Sequence, residues 1–314
     1  MKTMILSGIF AGALALPALA ADYTIIAPAA PGGGWDQTAR TMQEVLQAEG
    51  ISDNVQVQNV PGAGGTVGLA QFASSASGDP SQLIVGGYVM VGAILTNNSP
   101  VSLDDVTPIA RLTGEYEAIV VPAASPIQTI TELVEALKAD PGAVSWAGGS
   151  AGGADHIAVG LLAKAAGVDP TKINYIAYSG GGEALAAILG NQVTAGVSSL
   201  GEFLPQVQAG TMRLLAVSAE ERIEGVDAPT LTESGYDVVL QNWRMVAAAP
   251  GLTDEQVSAV AADIEKLNAS EGWKTALETK GWANTYLAGD EFEAQLAKDK
   301  EATEGILREI GLVK

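Results

Sequence analysis

Pro31-Gly32-Gly33-Gly34-Trp35-Asp36 and Pro61-Gly62-Ala63-Gly64-Gly65-Thr66 decide the fold. Each glycine turn follows a strand-like run, 23–28 before the first and 55–60 before the second, and each opens a helix-like one. A strand that feeds a helix through glycine aims several unpaired backbone N–H groups at one point. The helix dipole favours negative charge at that point. Two such turns predict a cleft built for an anion.

Outward from these turns the same alternation continues. Residues 36–48 read as a helix with Ala39, Met42, Val45 and Leu46 on one face, and 66–74 and 88–95 as two more. Residues 83–85 and 117–121 read as strands. A helix over 129–139, capped by Thr129 or Thr131, ends at Asp140-Pro141-Gly142. The pattern then repeats. A strand at 144–146 leads through Gly148-Gly149-Ser150-Ala151-Gly152-Gly153 to a helix over 154–166. Another at 173–177 leads through Tyr178-Ser179-Gly180-Gly181-Gly182 to a helix over 183–189. Strands follow at 193–197, 212–217 and 246–249. Helices over 253–268, 271–280 and 290–310 close the chain and are expected to return over the first lobe.

This alternation implies an α/β protein of two lobes with the cleft between two mixed, mostly parallel sheets. The cleft is expected at the carboxyl ends of the strands. The expected division is 21–121 plus 245–314 for lobe 1 and 122–244 for lobe 2, with short crossovers near 120–122 and 243–246. One large α/β domain is the alternative.

Composition narrows the chemistry. Lys2, an apolar stretch over 4–16 and Ala18-Leu19-Ala20 form the pattern of a secretory leader over 1–20, cleaved after Ala20. That stretch is shorter than the ~20 residues a membrane span needs, so a soluble exported chain is expected. The chain has no cysteine, which removes thiol catalysis and zinc-thiolate sites, and stability must come from a core that a 47% hydrophobic content can supply. A single histidine, His156, leaves little for a histidine metal site or a Ser-His-Asp triad. The formal net charge of −20 argues against nucleic acid and anionic membrane surfaces as partners.

Nucleotide motifs fare poorly. Gly62 to Gly68 spells GxGxxxG rather than GxGxxG, no acidic residue follows at the right distance, and no Gly-Lys-Ser/Thr occurs. Gly148-Gly149-Ser150-Ala151-Gly152 does satisfy GxSxG, so an exported α/β serine hydrolase using Ser150 is the alternative function. Its difficulty is that His156 lies on the helix the elbow itself would start. His156 reads instead as a partly buried histidine beside the cleft, and Glu115 and Glu117, flanking Tyr116, as a solvated or edge-strand face. What remains is a binding inventory: four glycine turns with the hydroxyls of Thr66, Ser150, Ser179 and Ser198. Charge-assisted hydrogen bonds from such groups suit carboxylates, at about 1.5–3 kcal/mol each.

At these residues the chain resembles the substrate-binding proteins of tripartite tricarboxylate transporters, the Bug receptors. The resemblance spans essentially the whole mature chain. It rests on PGGGWDQTAR (31–40), NVPGAGGTVG (59–68), DVTPIARL (105–112), GGSAGGADH (148–156), YIAYSGGGEAL (175–185), GTMRLLAVSAEER (210–222) and APTLTESGYDV (228–238). It implies a two-lobed periplasmic-binding-protein fold of type II kind, and a periplasmic receptor with no catalysis and no cofactor. Its partners are a small carboxylate and the membrane carrier subunits, and it is expected to act as a monomer. Carried over, Gly33, Gly34, Ala63, Gly64 and Thr66 hold one ligand carboxylate, while Gly149, Ser150, Ser179, Gly180 and Gly181 face the rest of the ligand, with Ser198 among the polar tips. The family's usual VPYKG stands here as IAYSG, so Ser179 replaces a lysine. The GGWD variety resembles the citrate and tricarboxylate branch. Trp35 either walls the cleft or packs against the protein, and Asp36 is expected to cap its helix more than to touch ligand. Arg244 is the candidate cation for a citrate-like charge, with a surface or interlobe ion pair as its alternative. Arg40 and Arg213 read as structural.

Overall fold

The computed structural model describes residues 22–178 and 181–314. The leader expected at 1–20, and Ser179 and Gly180, lie outside the described residues. β1 (Tyr23–Ala27), β2 (Val55–Asn59) and β3 (Gln82–Gly87) are joined through α1 (Gly34–Ala48) and α2 (Thr66–Ser75), and α3 (Tyr88–Thr96) leaves β3 directly. α1 buries the predicted stripe of Ala39, Met42, Val45 and Leu46, and it starts at Gly34 with Gly33 as its cap. β4 (Thr107–Pro122) follows, then α4 (Ile130–Ala139), whose cap Thr129 accepts the Glu132 N–H. β5 (Ser145–Gly148), α5 (Ala154–Ala165), β6 (Asn174–Ala177), α6 (Gly181–Leu189), β7 (Ala195–Ser199), α7 (Leu200–Gln208) and β8 (Met212–Val217) make the second half. The chain returns in β9 (Gln241–Ala248) and ends in α8 (Asp254–Ala269), α9 (Glu271–Lys280), β10 (Ala283–Ala288) and α10 (Gly289–Glu309).

The strands form one curled sheet in the order β2-β1-β3-β9-β4-β7-β5-β6, with β8 and β10 also paired to β4. Parallel pairs lie towards its two ends, β1 with β2 and β3, and β5 with β6 and β7. The centre is antiparallel, so the sheet is more mixed than the mostly parallel one expected. The reason is β4. Sequence reading assigned it only 117–121, yet it runs sixteen residues and serves both halves. Through Tyr116 it pairs with β9, and over 110–114 with β10; from Glu117 it pairs with β7 and, from Ala118, with β8. Register shifts between Pro108 and Ala110, Arg111 and Thr113, and Ile119 and Val120 let so long a strand twist.

One apolar cluster fills the first half and continues beneath α4 and α5, where Trp146 is fully buried. A smaller one, with Ala118, Val120, Ile188 and Phe203, lies beneath α6 and α7. Each large apolar side chain so buried contributes roughly 1.5–3 kcal/mol. The terminal helices return as expected, with Tyr23 Oη donating to Asp263 of α8 at 2.9 Å. They also reach the second half, where Lys164 of α5 pairs with Glu309 and Ile310 packs on Gly160. No described helix is long and apolar enough to cross a membrane.

Candidate functional site

A cavity of about 330 Å³ opens between the two halves, at the ends of β1, β5, β6 and β7. Gly33, Gly34 and Trp35 at the start of α1, and Gly62 to Gly65 before α2, form one wall. Gly149, Ser150 and Asp155 around the start of α5, Tyr178, Ser198, Ser199 and Glu202 form the other, and Asn242 and Arg244 of β9 complete it. Across its mouth the halves touch. Thr96 of α3 lies 3.4 Å from the Ala151 carbonyl, and Gly92 faces the Gly152 carbonyl so closely that a Cβ there would overlap it.

The first wall is a donor surface. Gly33 caps α1 without any side-chain bond, which leaves first-turn N–H groups for a ligand. The Trp35 ring lies against Gly65, so it binds the two glycine turns together and also walls the cleft. Beneath Gly34 lies the Arg244 guanidinium, close enough that a Cβ on Gly34 would overlap it. Arg244 is buried, ion-paired with Glu115, and held over the Trp282 ring at 5.1 Å. Its Nη1 has no hydrogen-bond partner among the described residues. An idle buried donor is costly, and this one borders the cleft. Arg244 is thus ion-paired with Glu115 and also borders the cavity.

The second wall is different in kind. Asp155 accepts the Gly149 N–H at 2.6 Å, and Tyr175 donates its hydroxyl to the Gly149 carbonyl at 2.8 Å. His156 stacks on Tyr175, ring centroids 4.0 Å apart, and its Nδ1 accepts the Gly152 N–H at 3.3 Å. Burial lowers its pKa to about 4, so the ring is neutral. Ser150 lines the cleft, yet no hydrogen bond joins it to His156 among the described residues.

Glu115 and Glu117 correct the sequence reading, for they form no solvated face: they are 3% and 0% exposed. Strand alternation puts both on one face of β4, and β4 is the central strand. Burial, then the charges of Asp155, Glu202 and Glu115, raises the Glu117 pKa well above the carboxylate range. Among the described residues no donor reaches either of its oxygens, so its surroundings favour the neutral acid, the form that can donate to Asp155. Burial raises Asp155 to about 6 against the opposing Gly149 bond. Burial and then the Glu115 charge raise Glu202 to about 7, with Ser198 Oγ donating to it at 3.2 Å.

Residues 38–312 match the tripartite tricarboxylate transporter family receptor. The chain belongs to this family. It is similar to protein BugT of Bordetella pertussis, 27% identical over 292 residues that cover 91% of this chain and 88% of that one. Its fold is that of the periplasmic binding protein BugD, with a TM-score of 0.84 at 23% identity, covering 93% and 98% of the two chains. MatC from Rhodopseudomonas palustris, solved with bound malate, shares the fold with a TM-score of 0.78 at 24% identity, covering 93% and 99%. The tricarboxylate transporter receptors are periplasmic binding proteins, and the two-lobed fold expected of one is present here.

Of the residues expected to serve a receptor of this family, Gly33, Gly34, Trp35, Ala63, Gly64, Gly149, Ser150, Ser198 and Arg244 border the cavity. Gly181 borders a smaller neighbouring one together with Gly32 and Glu202. Asp36 and Thr66 do not border the cleft. The Asp36 carboxylate is spent on the Gly32 N–H at 2.8 Å, on Asn59 at 2.9 Å and on Arg40, and the Thr66 hydroxyl donates to the Ala63 carbonyl at 2.9 Å. Arg40 and Arg213 are structural as expected, Arg213 holding the carbonyls of Ala123, Ser125 and Ile127. Sequence reading missed Asp155 and Glu202. Asp155 stands inside the quoted GGSAGGADH, where only the glycines and Ser150 were read for ligand contact. Glu202 stands in a helix that had not been recognised.

Proposed function

We propose that this tricarboxylate transporter receptor works as an exported monomer, its leader removed after Ala20. In that reading it captures a small organic acid and delivers it to the membrane carrier subunits. The observation that carries the reading is the meeting, at one cavity, of two uncapped glycine turns and the idle Arg244 Nη1. One ligand carboxylate lies against Gly33, Gly34, Ala63 and Gly64, within reach of Arg244, while Ser150 and Ser198 meet the remainder. Charge-assisted bonds of this kind contribute about 1.5–3 kcal/mol each, and micromolar affinity needs about 8 kcal/mol.

The cavity is near the lower end of the ~300–1,000 Å³ common for ligand sites, which favours di- and tricarboxylates of malate or citrate size. The bound malate of MatC supports the dicarboxylate side of that range. The lobe division proposed with this function is 21–121 plus 245–314 against 122–244; the change of partners along β4, between Tyr116 and Glu117, lies near its first boundary. A thermal-shift panel of citrate, isocitrate, malate and succinate tests the reading. A ligand present at 100 times its Kd should stabilise the protein by about 2.7 kcal/mol, a rise of several degrees in Tm. A panel of organic acids that leaves the melting curve unmoved would remove the assignment.

A further inference from the structure

Glu202 stands between two cavities. It borders the ligand cavity and, alone among the described residues, also borders a neighbouring one of about 260 Å³ that Gly32, Gln37, Gly181 and Pro205 help to line. Ser198 Oγ donates to its Oε2 at 3.2 Å, and Gly181 leaves that oxygen room, since any Cβ there would overlap it. Four carboxyls act on one another here: Glu202 from α7, Glu115 and Glu117 from β4, and Asp155 from α5. Among the described residues one cation faces them, the Arg244 guanidinium of β9, and Glu115 already holds it. The other charged side chains near α7 are placed elsewhere. Arg213 of β8 holds backbone carbonyls, Glu183 of α6 is exposed, and the Lys280 ammonium at the end of α9 lies over the Trp282 ring at 5.3 Å. Two phenols, Tyr116 of β4 and Tyr178, pack against the apolar cluster beneath α7.

These carboxyls differ in what a ligand would change. Glu117 and Asp155 are already enclosed, at 0% and 6% exposed, and Glu115 has its counter-charge. Glu202 is half-buried and open to water through the cavity it borders. An organic acid that fills this cavity removes that water and brings negative charge of its own. Both effects disfavour a charged Glu202.

We propose that capture of the organic acid is coupled to uptake of one proton, that Glu202 receives it, and that the neutral carboxyl donates its O–H to a ligand oxygen. The inference rests on the carboxylate-receptor reading above and adds its proton balance. The proton comes from solvent, and the second cavity offers it a way to Glu202 from the side the ligand does not fill. Burial and then the Glu115 charge already raise the Glu202 pKa to about 7, so the empty protein still has charge to lose there near neutrality.

Isothermal titration in two buffers of unlike ionisation enthalpy, phosphate and Tris, counts the protons. Malate is the probe, or whichever of citrate, isocitrate and succinate gives the largest thermal shift. At pH 8 these acids are ionised and Glu202 largely so; binding should take up about one proton per ligand there and about half a proton at pH 7. Affinity should then fall about tenfold per pH unit above pH 8. Glu202→Gln supplies a permanent donor in place of the titrating one. Its proton uptake at pH 8 should be near zero, its affinity should lose the fall with pH, and at pH 9 it should bind about tenfold more tightly than the parent. Should the variant fold poorly, the proton count and pH slope of the parent carry the test.

Binding with equal heats in both buffers and no pH slope would overturn the coupling and leave the carboxylate receptor standing. Proton uptake that persists in Glu202→Gln would overturn the role of Glu202. If none of the four acids binds, the receptor reading falls and this inference falls with it.

Discussion

Glu117 has no exposed surface and no donor to either carboxyl oxygen, and three other carboxyls surround it. Its proton is retained in the folded protein at pH values where an unfolded chain has released it. The folded state then binds the extra proton, so stability falls as pH rises above the ordinary carboxylate pKa near 4.5. Glu117→Gln keeps the shape and supplies a permanent donor towards Asp155. Its Tm should match the parent near pH 4.5 and exceed it increasingly towards pH 8. A parent curve that stays above the variant at pH 8 would show Glu117 to be ionised. At this scale the sequence was legible where backbone geometry makes the site. Gly33, Gly34, Ala63 and Gly64 were readable because a strand–glycine–helix turn announces its N–H groups locally. Glu115, Glu117 and Glu202 were not, because burial is decided by which strand lies at the centre of the sheet, and only the assembled fold determines that.

Among the elements, α4 and α7 mark the two extremes of legibility. α4 carries a Thr129 cap, a buried stripe of Ile130, Leu133, Val134 and Leu137, and a Pro-Gly stop just beyond; every local signal agrees. α7 contains Gly201 and Pro205, both weak helix formers, and forms because Phe203 is fully buried in the second cluster. β10 went unread for a similar reason, since its pairing with β4 shifts register between Asn284 and Leu287. Chemical denaturation should separate the two cases. Thr129→Ala should cost about 1 kcal/mol with ligand affinity unchanged, because α4 does not border the cleft. Phe203→Ala should cost about 3–5 kcal/mol and weaken ligand binding as well, because it loosens the helix that carries Glu202. Equal losses from both would mean that α7 is held by something other than its core contact.

For the whole molecule, the contact between Gly92 and the Gly152 carbonyl sets how nearly the halves meet. Gly92→Val leaves each half its own core but inserts bulk where they touch. Ligand release should quicken on the order of tenfold, the usual channel for affinity changes, and solution scattering of the ligand-saturated variant should give a larger radius of gyration than the parent. Unchanged release would mean that this contact plays no part in retention. The two-lobed plan was readable from four repeated glycine turns, but its join was not. A crossover strand has the same composition as any buried strand, and nothing local in 107–122 reports that its two ends serve different partners.

That shared strand also bears on separability. Because β4 gives Thr107 to Tyr116 to one half and Glu117 to Pro122 to the other, neither half owns a complete sheet. A chain severed near residue 121 would take the central strand from one fragment and leave the other with open edges exposed to solvent, which invites aggregation. A fusion or permutation that cuts through β4 should therefore fail to fold, whereas one that keeps 107–122 continuous with both sets of partner strands should not.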